Sequence, residues 1–166
     1  MTKNRLPFLL LTGLLITGIW FWQSEKIKPA PHVTFTTITG KKIELAKLQN
    51  NPVIVTFWAT DCPGCIKEIP HLIELYNQFH PQGLEIIAVA MYYDPPSHVV
   101  AMTKAKQIPY DVALDLKAEH AYAFDQVQLT PTTFLISSAG IIIKQKTGEF
   151  DIIDMKHQLE NIFKPK

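Results

Sequence analysis

The tightest constraint on this chain is where it places its cysteines. There are two, and they stand together as Cys62-Pro63-Gly64-Cys65. Before them runs Val53 to Trp58 (VIVTFW), an apolar, β-rich segment suited to a central strand buried on both faces. After them Ile66, Ile69, Leu72, Ile73, Tyr76 and Phe79 recur at three- and four-residue spacing, the pattern of an amphipathic helix. The pair therefore opens a helix at the end of a buried strand. Cysteines spaced this way at a helix start can close a disulfide with little backbone movement. The first lies near the unpaired N–H groups of the first turn, whose partial positive charge stabilises a thiolate. The second lies one turn in and deeper. Cys62 is thus expected to attack a substrate disulfide, and Cys65 to resolve the mixed disulfide.

Other uses of the pair fit less well. A structural disulfide across two intervening residues closes a very small loop and constrains little. A zinc site needs about four ligands. The chain has no second Cys-x-x-Cys, and His32, His71, His80, His98, His120 and His157 show no ligand spacing. The expectation is no metal, and no cofactor beyond the redox-active Cys62–Cys65 disulfide itself.

Composition narrows the class. A chain of 166 residues is about one domain, with room for its own core. With 47% hydrophobic and 19% charged residues it is not a disordered polyelectrolyte. A net charge of +1 gives no footprint for nucleic acid. Arg5 is the sole arginine, so the rest of the chain lacks the bidentate fork used on phosphates and carboxylates.

Leu6 to Trp22 (LPFLLLTGLLITGIWFW) carries no charge over 17 residues. As a helix it would be ~26 Å long at ~1.5 Å per residue, the short end for a membrane span. Lys3 and Arg5 precede it, and Trp20, Phe21 and Trp22 close it at the expected interface position. Gln23, Ser24, Glu25 and Lys26 follow, with no small-residue cleavage pattern. We read residues 1–24 as an uncleaved signal-anchor, 25–34 as a linker stiffened by Pro29 and Pro31, and 35–166 as one α/β domain. The short basic tail and the redox motif place that domain outside the cytoplasm.

Within the domain, Phe35–Ile38 and Ile43–Leu45 flank a tight turn and predict a small hairpin. Leu84 to Met91 predicts a second buried strand, and Asp94-Pro95-Pro96-Ser97 opens a helix to about Lys106. A short strand at Val112–Leu114, a short helix at Ala118–Phe124, a strand at Thr132–Ile136 and a strand at Ile141–Lys146 follow. A helix over Asp151–Phe163 ends the chain. Tyr92 and Tyr93 are read as core edge rather than substrate-facing, and Asp94 as part of a helix start. The pattern is a central mixed sheet flanked by helices.

Trp58-Ala59-Thr60-Asp61-Cys62-Pro63-Gly64-Cys65 resembles the active-site stretch of thioredoxin-fold proteins. More narrowly it resembles the membrane-anchored TlpA/ResA-like thiol–disulfide oxidoreductases of bacteria, from about Phe35 to the C-terminus. That resemblance implies a thioredoxin-like fold. It implies a role for Glu68, three residues after the second cysteine, in the proton transfers of the thiols. It also implies a helix proline, matched by Pro70, which lacks an N–H for the bond one turn back. Thr130-Pro131-Thr132-Thr133-Phe134 matches the segment where the fold places a cis-proline facing the cysteines. By that likeness Thr130, Pro131 and Trp58 contact substrate, with the Thr130 backbone pairing to a bound chain as an added strand. Implied partners are protein disulfides, among them apocytochromes c or copper-site proteins of cytochrome oxidase, and an integral-membrane thiol carrier as electron donor.

The chain departs from the pattern in places. Thioredoxin has a buried Asp six residues before its first cysteine, where Thr56 stands here. Asp61 precedes Cys62 and should raise its pKa. No His lies between the cysteines, so the reduced thiolate is stabilised less and the couple should be reducing. Two alternatives differ in chemistry. A peroxiredoxin-type thiol peroxidase would need Thr or Ser three residues before its attacking cysteine, and an Arg; here that position before Cys65 is Cys62. A copper-binding accessory protein would use a Cys-x-x-x-Cys pair, one residue longer than this one.

Overall fold

The computed structural model describes residues 28–164. The expected span Leu6–Trp22 lies outside them. Among the described residues no helix is long and apolar enough to cross a membrane.

The strands are β1 (Lys28–Pro29), β2 (Thr34–Thr36), β3 (Lys42–Glu44), β4 (Val53–Trp58), β5 (Glu85–Ala90), β6 (Asp111–Leu114), β7 (Thr132–Ile136) and β8 (Ile141–Thr147). The helices are α1 (Pro63–Phe79), α2 (Pro96–Ala105), α3 (Glu119–Ala123) and α4 (Ile152–Phe163). One sheet runs β1-β8-β7-β4-β5-β6, and β2-β3 form a separate hairpin. β4, β5 and β6 are parallel, while β7 pairs antiparallel with β4, and β8 antiparallel with β7. This is the mixed sheet that the sequence predicts.

β4 is apolar throughout because both its faces are covered. Ile54 and Trp58 point into a layer built from Cys65, Ile69, Leu72 and Leu75 of α1, with Met155 and Leu159 of α4. Val53, Val55 and Phe57 point into the opposite layer, with Phe35, Ile43, Ala121 and Phe124. Successive side chains of a strand alternate in this way, so one hexapeptide joins two cores.

Local signals set the helix ends. Cys62 caps α1, Pro63 takes the first turn where its missing N–H is not needed, and the helix continues through Pro70. Asp151 caps α4, its Oδ1 accepting from the N–H groups of Ile153 and Asp154. Gly83 adopts a φ of 112°, a left-handed conformation open to glycine, and turns the chain into β5.

One segment differs from expectation. Residues 25–34 were to be a linker, yet Lys28 and Pro29 pair with Ile142 and Ile141 as an edge strand of the main sheet. Proline is compatible with an edge, where its lack of a donor leaves no ladder bond unmade. Thr34 already opens β2.

Candidate active site

Register brings the site together. Phe57 of β4 stands opposite Thr132 of β7, and Thr132 opposite Thr147 of β8. Trp58 stands beside Ala90 of β5. The loops leaving or entering these positions therefore meet at one end of the sheet: 59–62, 91–95, 129–131 and 148–151. The cysteine pair lies in the first of them.

Cys62 and Cys65 are joined as a disulfide with Cα atoms 5.2 Å apart. The Cys65 N–H donates to Cys62 Sγ at 3.2 Å, the helix-start contact that favours charge on the first sulfur. Cys62 is half-buried, while Cys65 is 3% exposed. The more accessible sulfur is therefore the one at the helix cap.

The Thr130–Pro131 peptide is cis. Pro131 is buried against the cysteine turn: a Cβ on Gly64 would lie 3.3 Å from its Cδ. A larger residue at position 64 would press on this proline. The Pro131 carbonyl accepts from the Gly148 N–H at 2.8 Å. Thr130 is half-buried, and among the described residues neither of its backbone groups bonds another backbone group.

Glu68 is the buried carboxylate of the site, 2% exposed on the inner face of α1. Its Oε1 accepts from the Phe150 N–H at 2.6 Å. Burial raises its pKa to about 7; the Phe150 hydrogen bond opposes this rise, and the neighbouring Glu149 carboxylate adds to it. Glu68 and Cys65 line the same cavity of about 10 Å³, room for about one water, with Thr56, Trp58 and Tyr110. Burial also pushes the Tyr110 hydroxyl pKa up, and the Glu68 charge reinforces it. Thr56, at the position of thioredoxin's Asp, shares a 2.8 Å hydroxyl–hydroxyl hydrogen bond with Thr133 across the β4–β7 pair.

Two expectations are corrected here. Trp58 was expected to face substrate. It is 4% exposed and lies behind the disulfide, because its place in the strand alternation turns it into the α1 layer, where its indole Nε1 has no hydrogen-bond partner. Tyr92 and Tyr93 were read as core edge. They stand past the end of β5, 57% and 46% exposed, ring centroids 5.3 Å apart.

The structure adds residues that sequence reasoning missed. Asp94 is buried, and its carboxylate accepts from the Thr60 N–H at 2.6 Å and the Thr60 hydroxyl at 2.8 Å. It braces the loop that carries Cys62, while the N-cap of α2 is Pro95. Glu149 Oε1 lies 3.3 Å from the place of a Cβ on Gly64, and 3.4 Å from Lys67 Nζ. The signal for both residues is a polar side chain at the end of a predicted strand, but only register shows which loops converge.

Known proteins share the sequence pattern and the fold of this chain. The AhpC/TSA family model matches residues 27–145. Thiol-disulfide oxidoreductase ResA of Bacillus cereus (strain ATCC 10987 / NRS 248) is 34% identical over 178 aligned residues, covering 99% of this chain and 98% of its own. A thioredoxin-family thiol:disulfide interchange protein of Chlorobium tepidum TLS superposes with a TM-score of 0.77 at 25% identity, over 85% of this chain and 99% of its own. StoA of Bacillus subtilis superposes with a TM-score of 0.66 at 26% identity, over 78% and 98%.

Proposed function

The chain belongs to the thioredoxin-like AhpC/TSA family and to the ResA group of thiol–disulfide oxidoreductases, and on that premise we propose that it reduces disulfides of partner proteins outside the cytoplasm, with Cys62 attacking and Cys65 resolving. Thiol–disulfide exchange is the activity of its group. The observation that carries the finer reading is the asymmetry of the pair: Cys62 half-buried at the helix cap, Cys65 enclosed beside a carboxyl group with a pKa of about 7.

The Cys62 thiolate of the reduced protein attacks one sulfur of a substrate disulfide. A Cys62–substrate bond forms, the substrate S–S bond breaks, and one substrate thiolate leaves. Cys65 gives up its proton, and its thiolate attacks Cys62 Sγ. The Cys62–Cys65 bond closes and the second substrate thiolate leaves. Two electrons pass to the substrate, whose two thiolates are protonated. Glu68 takes the Cys65 proton in this account, since at neutral pH it is about half ionised and it lines the cavity that Cys65 lines. The Thr130 backbone receives the substrate chain as an added strand. A second dithiol, supplied by an integral-membrane carrier, re-reduces the pair.

Direction follows from the missing cation. No His stands between the cysteines, and Asp61 precedes Cys62. Both leave the thiolate less stabilised, and the couple reducing. A potential near about −120 mV, the level of a strong oxidant, would contradict this. Residues 6–22 hold the domain at the outer side of the membrane in this proposal. Disulfides of apocytochromes c, or of copper-site proteins, are the substrates considered.

Trapping tests the roles. A Cys65→Ser variant expressed with the full chain should hold its substrates as mixed disulfides on Cys62, identified by mass spectrometry. Partners trapped instead by Cys62→Ser would reverse the roles. Peroxide turnover surviving Cys62→Ser would favour a peroxidase, and tight copper binding by the reduced pair would favour an accessory protein.

A further inference from the structure

The dithiol chemistry employs Glu68 and leaves Glu149 without a part. Three consecutive residues after β8 touch three parts of the site. The Gly148 N–H donates to the Pro131 carbonyl, Glu149 lies against Gly64, and the Phe150 N–H donates to Glu68. The Glu149 backbone is thus tied on both sides, and its side chain is held over the middle of the Cys62–Cys65 turn. Its carboxylate is half-exposed and pairs with Lys67 at 3.4 Å, whose side chain is 71% exposed. An exposed pair of this kind contributes little and yields to a competing cation.

We propose that Glu149 is a specificity-determining residue, favouring disulfide substrates that carry Lys or Arg beside the attacked cysteine and disfavouring those that carry Asp or Glu. The inference rests on the reading of Cys62 as the attacking thiol. Cys65 and Glu68 close the inner side of the disulfide, so a substrate chain must approach from the open side. There it passes Gly64 and Pro131, the two residues that flank the Glu149 carboxylate. A charge placed beside the docking path changes partner choice and association rate more than the chemistry. Asp61 next to Cys62 adds charge of the same sign, and Lys67 opposes both.

The test uses the full chain, reduced, and three synthetic peptides with an internal disulfide. They differ in one residue beside the cysteine attacked: Lys, Gln or Glu. The quantity read is the ratio of kcat/KM for the Lys and Glu peptides within each variant, so that any general loss of activity cancels. The wild-type chain should prefer the Lys peptide by about fivefold at low salt. In about 1 M salt, where the screening length falls to about 3 Å, the ratio should approach one. Glu149→Gln should bring it near one at low salt, Glu149→Lys should invert it, and Lys67→Gln should widen it. A wild-type ratio of one, or a ratio unchanged in Glu149→Gln, overturns the inference while leaving the dithiol reading intact. Failure of the wild-type chain to reduce any of the peptides overturns both.

Discussion

Two glutamates lie by the Cys62–Cys65 turn, Glu149 against Gly64 and Glu68 in the cavity that Cys65 lines, and their surroundings make them different groups. Glu68 comes from α1 itself, is sealed behind Cys65, and finds the Phe150 N–H and the wall of a small cavity. Glu149 comes from the loop after β8, stays half-exposed in front of the pair, and finds an exposed lysine. Burial raises the first to about 7, where it can exchange a proton near neutrality. The second meets solvent and whatever chain docks at Cys62. The two residues are chemically identical, so their environments alone separate the roles proposed for them: proton handling for the buried Glu68, partner recognition for the half-exposed Glu149.

The largest expected effect tests the inner and outer sulfurs themselves. Cys62→Ser should reduce exchange with a peptide disulfide to background. Cys65→Ser should retain the first attack and consume one equivalent of substrate per chain without turnover. Equal defects in the two variants would erase the contrast between front and back.

Next comes the inner wall. The Glu68 carboxyl holds its proton more tightly in the folded chain, at about 7, than at its ordinary value of 4.5. Its contribution to stability is therefore full below the ordinary value and is lost as pH rises through about 7. For a buried carboxyl this loss is on the order of 3 kcal/mol. Denaturant unfolding of the oxidised chain from pH 4 to 8 should show that decline, and Glu68→Gln should flatten it. An undiminished slope in the variant would place the pH dependence elsewhere.

Asp94 gives a smaller effect from the outer side. Asp94→Ala leaves the Thr60 N–H and hydroxyl without their acceptor, a loss of about 1–3 kcal/mol in unfolding free energy. Asp94→Asn should recover part of it. The smallest effect belongs to Asp61, exposed beside Cys62. Asp61→Asn should lower the Cys62 thiol pKa, read from the pH dependence of its alkylation. A rise on substitution would show that Asp61 does not act through its charge.

What the sequence made legible was local. The apolar run into Cys-Pro-Gly-Cys and then into a 3.6-period helix reads directly, and the structure has each piece in place. Glu68 and Pro131 were legible through likeness to a family, and the structure buries both against the pair. Convergence between distant segments was not legible. Asp94 and Glu149 reach the site because β5 lies beside β4, and because β8 pairs with β7 next to β4, which no local pattern shows. The orientation of Trp58 failed for a different reason. In a strand buried on both faces, alternation says that neighbours diverge, yet not which face holds the helix. Lys28 and Pro29 read as linker because a two-residue edge strand carries no periodicity.

The order of the two sulfurs is tested most directly by alkylating the reduced chain with limiting iodoacetamide at pH 7 and mapping the label by peptide mass. Label should fall on Cys62 in at least about tenfold excess over Cys65, because the thiolate forms at the accessible helix cap. Label on Cys65 first, or equally on both, would contradict that order.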